Sequence, residues 1–263
     1  ERVWNTASNF KLFKYTDLDH PLLKDLLTKT PGTYQHTMTV AHLAQSASES
    51  VGADSLLVRV GAYYHDVGKT TDPNHFVENQ FGGPNLHQGL SPQESAEIIT
   101  NHVENGLKLT REAGLPEVVQ DFISQHHGTQ LLEFFHDKAR NSSGNEQVPE
   151  GNFRYRGPKP QRVETAVLMI ADAVEAASRS LHEKTHEKIE SMVRHIIEAR
   201  IADGQFEECD LSTRDIAKIR EALIESLAAS FHTRVEYPWQ KEEEKNEKEN
   251  SPSKTIPFKI SSV

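Results

Sequence analysis

Gly61-Ala62-Tyr63-Tyr64-His65-Asp66-Val67-Gly68-Lys69 is the stretch whose reading decides the fold. Asp54 is a good N-cap, and the run through Val60 and Tyr64 reads as a helix that delivers His65 and Asp66 at its end. A His-Asp dipeptide alone carries little weight, because chance supplies many. Placement at a helix end, followed by Gly68 and Lys69, gives it more. The histidines on the neighbouring segments give it most.

Working outward, the chain reads as helix after helix, with few strand signals and no internal repeat. A short helix follows Pro21. Pro31 sits in the first turn of a longer one that Gly52 stops. Residues 70–90 carry Asp72-Pro73 and Gly82-Gly83-Pro84-Asn85 and read as a long loop. Ser91-Pro92-Gln93-Glu94 is a capping box with proline at its first helical position, opening a helix through His102. Pro116 opens another, ending at Gly128 after His126 and His127, and a further helix covers about 129–140. Residues 141–160 form a second long loop containing Arg154-Tyr155-Arg156-Gly157-Pro158-Lys159-Pro160; such loops in compact domains are usually functional or mobile. Three helices are expected at roughly 161–181, 185–203 and 212–233, Gly204 closing the second and Ser212 with Asp215 capping the third.

The organisation expected is a lead-in over 1–20, one all-α domain over 21–238, and a charged tail over 239–263. The tail begins near Lys241 with a Lys/Glu run that cannot bury a core.

Several of these helices place a metal-capable side chain on an apolar stripe. His36 shares its stripe with Val40, Leu43, Ala44 and Ala47. His102 follows Ile98 and Ile99 at helical spacing. His126 lies with Val119, Phe122 and Ile123, and His127 is beside it. Asp172 lies with Leu168, Met169 and Ala176. A single histidine so placed is more often a hydrogen-bonded core residue, and a single buried aspartate often a cap. For the whole set that reading fails, since burying so many titratable groups unpaired costs several kcal/mol each. Metal coordination supplies the compensation. Imidazole and carboxylate without sulfur suit Mn, Fe, Zn, Ni or Co better than Ca or Mg. Several imidazoles with Asp66 and Asp172 exceed one tetrahedral shell, which points to a binuclear site in the core of the helical bundle.

Composition narrows the function classes. The chain has 263 residues, 36% hydrophobic, with a formal charge of −10 and 14 histidines. That charge argues against a broad grip on DNA or duplex RNA. It permits a small phosphate ester, because bound metals outweigh nearby carboxylates. Cys209 is the only cysteine, so there is no internal disulfide and no thiolate cluster. No apolar run reaches the ~18 residues of a membrane span. The chain starts at Glu1 rather than methionine, and we expect an excised fragment whose upstream region is missing.

The order His36, His65-Asp66, His102, His126-His127, Asp172 resembles the H…HD…H…HH…D pattern of the HD superfamily's binuclear phosphodiesterases. The flanking text, Pro-Gly-Thr-Tyr-Gln-His (31–36), Glu-Asn-Gln (78–80), Gln-His-His-Gly-Thr (125–129), 153–161 and 171–180, is similar to the seven-transmembrane HD proteins, over roughly residues 15–238. The resemblance implies an HD-domain helical bundle on the cytoplasmic side of a bacterial cell membrane that hydrolyses cyclic di-AMP to linear pApA. It departs from the cyclic di-GMP enzymes, whose Glu and Gly-Tyr-Pro signature is absent after His127.

Carried over residue by residue, the resemblance implies that His36, His65, Asp66 and Asp172 hold one ion. Asp66 bridges to a second held by His102, His126 and His127, with manganese or iron the expected metals. A bridging hydroxide would attack phosphorus, and Lys69 would neutralise charge on the phosphoryl oxygens. Arg154, Arg156 and Lys159 are expected to contact phosphate and Tyr155 to stack on adenine. The same residues fit a nucleotidohydrolase acting on cyclic di-GMP, dNTPs or nucleoside monophosphates, or a module that binds nucleotide without cleaving it. A homodimer stays open.

Overall fold

The computed structural model describes residues 9–80, 85–144 and 148–232. Among them every regular element is helical, and the one strand-like feature is an isolated antiparallel bridge between Leu131 and Arg154. The helices are α1 (Asn9–Phe13), α2 (Pro21–Lys29), α3 (Pro31–Val51), α4 (Ser55–Tyr64), α5 (Pro92–Glu112), α6 (Glu117–Gln125), α7 (Glu133–Ser142), α8 (Val163–Arg179), α9 (His186–Ala202) and α10 (Thr213–His232). Residues through Ala228 form one compact unit, and 229–232, the last turn of α10, fall to a second. The charged tail expected from 239 lies outside the described residues. Among the described residues no helix is long and apolar enough to cross a membrane.

The core is built around α3, which buries His36, Thr37, Val40, Ala41, Leu43, Ala44 and Ala47 at helical spacing against α4 and α8. Gly52 closes α3 at φ 75°, a left-handed cap available to glycine at little cost. The Asp54 carboxylate accepts from Leu57 N at 3.0 Å and starts α4. α6 and α8 pack on α4, so the C-terminal end of α4 and the inward faces of α3, α6 and α8 come together. α5 begins with the capping box on Ser91 and Glu94, and it lies against α6 and the 3-10 turn Val67–Thr71.

The lead-in residues join this core. Leu12 and Tyr15 are buried, and the Tyr64 hydroxyl donates to Tyr15 O at 3.2 Å.

Three segments depart from the sequence reading. The stretch after α4, read as a loop, is a series of short 3-10 turns (Val67–Thr71, Pro73–His75, Val77–Asn79, Leu86–Gly89). Asn79 docks it on α3, accepting from Thr33 N at 3.1 Å and donating to Thr33 Oγ1 at 2.9 Å. α7 starts at Glu133 rather than near 129, because residues 130–132 pair with 153–155 instead. Leu132 N donates to Phe153 O, and Tyr155 N to Gln130 O. Residues 153–160 are accordingly a strap and not a free loop: Phe153 is fully buried, packed with Ala96 and Ala139.

Candidate metal centre

The interior junction of α3, α4, α5, α6 and α8 gathers all seven side chains picked out as metal ligands. α3 brings His36, the end of α4 brings His65 and Asp66, α5 brings His102, the end of α6 brings His126 and His127, and α8 brings Asp172. His65, Asp66, His102 and His126 are buried to 2% exposure or less.

Asp66 is the hinge of the arrangement. Its Oδ2 lies 3.4 Å from His65 Nε2 and 3.8 Å from His36 Nε2. Asp172 Oδ1 completes that group, 2.9 Å from His36 Nε2 and 3.5 Å from His65 Nε2. The other oxygen, Oδ1, lies 3.4 Å from His102 Nε2 and 3.7 Å from His126 Nε2, which are 3.2 Å apart. His127 offers a further nitrogen to the same imidazole group, all within 4.8 Å. Ligand atoms that share an ion at about 2.0–2.2 Å lie about 3–3.6 Å from one another. The nitrogen–oxygen and nitrogen–nitrogen distances above, 2.9–3.8 Å, lie around that spacing, and one carboxylate faces each group with a different oxygen.

The rings are held in one tautomer. Nδ1 of His65 donates to Ala62 O at 2.6 Å, that of His102 to Ile99 O at 2.5 Å, and that of His126 to Ile123 O at 2.8 Å. A carbonyl only accepts, so Nδ1 carries the proton and Nε2 is the nitrogen each ring turns inward. His36 Nδ1 instead donates to the Glu175 carboxylate. Such outer partners are what orient ligating imidazoles.

This donor set fits a cation and little else. His65 Nε2 and Asp66 Oδ1 are buried without a hydrogen bond. Two inward imidazole nitrogens 3.2 Å apart beside a carboxylate oxygen cannot satisfy each other when both rings are neutral, and an ion between them removes the conflict.

The electrostatics of the two carboxylates and of the His102 and His127 rings agree. Burial opposes ionisation of Asp66, but Lys69 and then His65 hold its carboxyl well below the usual range. Asp172 is likewise held low against burial, chiefly by its hydrogen bond from His36. Burial disfavours a charged His36, yet Asp172 and Glu175 override it and push the ring up to about 10. Burial pushes His102 down to about 3, and His127 falls below its ordinary value through burial beside His126 and His102.

Lys69 is largely buried. Its Nζ lies 2.7 Å from Asp66 Oδ2 and 2.9 Å from Glu78 Oε1, and 5.1 Å above the Phe76 ring. Burial works against the ammonium, but Asp66 and Glu78 keep it charged, well above the usual range.

A cleft of about 490 Å3 opens onto the centre between His36, Lys69, Glu78, Asp172 and Arg179. The basic residues of the strap do not line it. Arg154 is held by Glu150 and Asp203 and donates to Thr129 O. Lys159 pairs with Glu207 at 3.0 Å. Arg156 pairs with Glu104 and lines a smaller cavity behind His127. Tyr155, expected to stack on a base, stacks on His127 instead, at 4.1 Å between ring centres and 25° between planes. Sequence reasoning passed over Glu175, Glu78 and Arg179. Glu175 was findable, being one turn beyond Asp172 on the same face of α8. Glu78 and Arg179 lie in the stretches 78–80 and 171–180 that resemble the family, but Glu78 shares no helical stripe with a metal-capable residue picked out above and Arg179 is not itself metal-capable.

The chain is similar to several known proteins. The family profile described as HD domain matches residues 33–177. The chain is 48% identical over 238 residues to the cyclic-di-AMP phosphodiesterase PgpH of Bacillus subtilis (strain 168), covering 90% of this chain and 33% of that protein. It is 45% identical over 238 residues to the protein of the same name from Listeria monocytogenes serotype 1/2a (strain 10403S), again with 90% and 33% covered. The chain therefore spans about a third of the length of these curated relatives. The crystal structure of the L. monocytogenes PgpH HD domain in complex with cyclic-di-AMP superposes with a TM-score of 0.78 at 47% identity, covering 83% of this chain and 100% of that one.

Proposed function

The chain belongs to the HD domain family, and from that premise we propose that it is a metal-dependent phosphodiesterase that opens cyclic di-AMP to linear pApA. The observation that carries the reading is Asp66, whose two oxygens face two separate groups of inward-turned imidazoles. His36, His65, Asp66 and Asp172 would hold one divalent ion, and His102, His126 and His127, with the other Asp66 oxygen, a second. Manganese or iron suits this nitrogen-and-oxygen set. When bound, such a pair supplies Lewis acidity, acidifying water and neutralising charge at phosphorus.

The chain's own groups do the rest. The Nδ1 hydrogen bonds fix each imidazole so that the centre is organised before substrate arrives. Lys69 holds a proton at Nζ beside Asp66 and faces the cleft, where its charge can meet the phosphoryl oxygens. The cleft volume is within the ~300–1,000 Å3 of small-molecule sites, and the similar HD domain solved with cyclic-di-AMP supports the choice of substrate. The likeness to the seven-transmembrane group extends the reading to a cytoplasmic domain of a longer membrane protein.

Product analysis on cyclic di-AMP, cyclic di-GMP, dGTP and AMP, with metal content measured on the same sample, tests this. We expect pApA from cyclic di-AMP, and loss of both metal and activity in the His65→Ala/Asp66→Ala double variant with helical content retained. Cleavage by that variant at the parental rate overturns the mechanism. Tight binding of cyclic di-AMP with no product under any metal condition makes the chain a binding module instead.

A further inference from the structure

Of the five histidines at the metal centre, four have a hydrogen bond behind the ring. Nδ1 of His65, His102 and His126 meets a backbone carbonyl three residues back, and that of His36 meets Glu175. His127 makes no side-chain hydrogen bond among the described residues. It also lines two open spaces, the cleft and a smaller cavity of about 170 Å3. The torsion that turns an imidazole about its bond to Cβ has only broad preferences. No polar partner therefore decides which nitrogen His127 turns toward the centre.

An aromatic face takes that place. The Tyr155 ring stacks on His127 with centres 4.1 Å apart and 25° between planes, and the His126 ring is in contact at 3.9 Å and 42°. His126 is itself one of the ligand set, whereas Tyr155 belongs to the strap, which is anchored independently. Tyr155 is buried, and its N donates to Gln130 O at 3.0 Å. On one side of it Phe153 is buried and Arg154 is held by Glu150 and Asp203. On the other, Gln161 N donates to Gln125 Oε1 on α6 at 2.9 Å, two residues before His127. The Tyr155 hydroxyl makes no hydrogen bond among the described residues, so the flat ring is what it brings to His127.

We propose that Tyr155 is the positioning residue of His127, and that through it the strap sets how firmly the second ion is held. The inference rests on the two-ion reading above. The first group has the Asp172 carboxylate as well as an oxygen of Asp66, while the second has three imidazoles and the other Asp66 oxygen. Less opposing charge surrounds the second ion, so it is the weaker held and loses most when one imidazole loosens.

The test is a manganese titration of the metal-free chain, read by calorimetry and by electron paramagnetic resonance, with the melting temperature of the metal-free state beside it. The parent is expected to take up two ions in two steps of unequal affinity. Tyr155→Leu removes the ring and is expected to weaken the second step about tenfold or more, the size of effect seen when a ligand's outer partner is lost. Its first step should stay parental. Tyr155→Phe keeps the aromatic face and is expected to keep both steps. In turnover, Tyr155→Leu should need more manganese for a given rate, its kcat approaching the parental value at saturating metal. If Tyr155→Leu fails to fold, Tyr155→Met, whose unbranched chain adapts to irregular space, decides in its place. A parental second step in the folded ringless variant overturns the inference and leaves the phosphodiesterase reading standing. So does equal weakening of both steps, which marks a general loss of packing, and so does a second step lost in Tyr155→Phe, which assigns the role to the hydroxyl. A parent that takes up a single ion overturns the inference, and one that binds no manganese and cleaves nothing overturns the metal-dependent reading with it.

Discussion

His36 and Glu175, 139 residues apart in the chain, are joined by a hydrogen bond from the imidazole Nδ1 to carboxylate Oε2. The other carboxylate oxygen takes Arg179 Nε at 2.8 Å and Nη2 at 2.7 Å. A metal-capable ring, a buried acid and an arginine at the wall of the cleft are thus connected in series. The acid fixes the tautomer of His36 and raises its basicity toward whatever sits at Nε2.

Glu175→Gln keeps the shape but removes the charge and weakens the grip on Arg179. We expect metal affinity to fall by about 10–100-fold, the range seen when a ligand's outer partner is lost. Circular dichroism should be unchanged, because the residue is one turn from the end of α8. Parental metal affinity in this variant would reduce Glu175 to a packing residue.

Lys69 serves two carboxylates at once, so removing it alone is ambiguous. Lys69→Met leaves Glu78 buried without its cation, which costs stability whatever the lysine does in catalysis. The double variant Lys69→Met/Glu78→Gln removes that unpaired charge. We expect it to recover most of the melting temperature lost in Lys69→Met, yet keep kcat at least about tenfold below the parent, the size of a lost charge at a reacting phosphate. Recovery of kcat together with stability would make Lys69 structural only.

The helices were legible in the sequence because their ends carry local chemistry. Pro31 and Gly52 bracket α3, Asp54 caps α4, and Ser91 with Glu94 opens α5. The histidine-bearing faces were legible because each repeats with the period of a helix. Which residues pair across the site was not legible, since His36–Glu175 and Thr33–Glu78 join residues far apart in sequence, even though Glu175 shares the face of Asp172 on α8. The same distance misled the reading of the strap. Arg154 and Lys159 look like free cations in sequence, but Asp203 and Glu207 on the turn after α9 consume their charge. The 3-10 turns after α4 were hidden for a related reason, because docking through Asn79, rather than local propensity, holds them.

The capping box at the start of α5 makes stability depend on acid. Ser91 donates to Glu94 Oε2 from both its N and its Oγ, and these bonds hold the Glu94 carboxyl below its ordinary value. A folded pKa below the unfolded one means stability that is present above the unfolded pKa, about 4.3, and is lost as pH falls through the folded value. The urea midpoints of the parent and Glu94→Gln should therefore differ at neutral pH and converge in acid. Ser91→Ala removes the other half of the box and should cost about 1 kcal/mol. A gap between parent and Glu94→Gln that does not close in acid would show that the carboxylate plays no part.

Gly68 has no room for a side chain. A Cβ there would sit 1.8 Å from His102 O and 2.5 Å from Gly106 N, both backbone atoms of α5. A flexible side chain could swing aside, but a helix backbone cannot. The 3-10 turn would have to retreat, drawing Asp66, two residues earlier, away from His102, whose carbonyl is the atom struck. Gly68→Ala should then cost about 1–3 kcal/mol or more, as overpacking does. It should also lower metal content and kcat, though no functional group has been touched. Gly89→Ala is the matched control, because a Cβ there meets nothing within 4 Å. If Gly68→Ala binds metal as the parent does, the turn and α5 are not what hold Asp66 against the imidazoles.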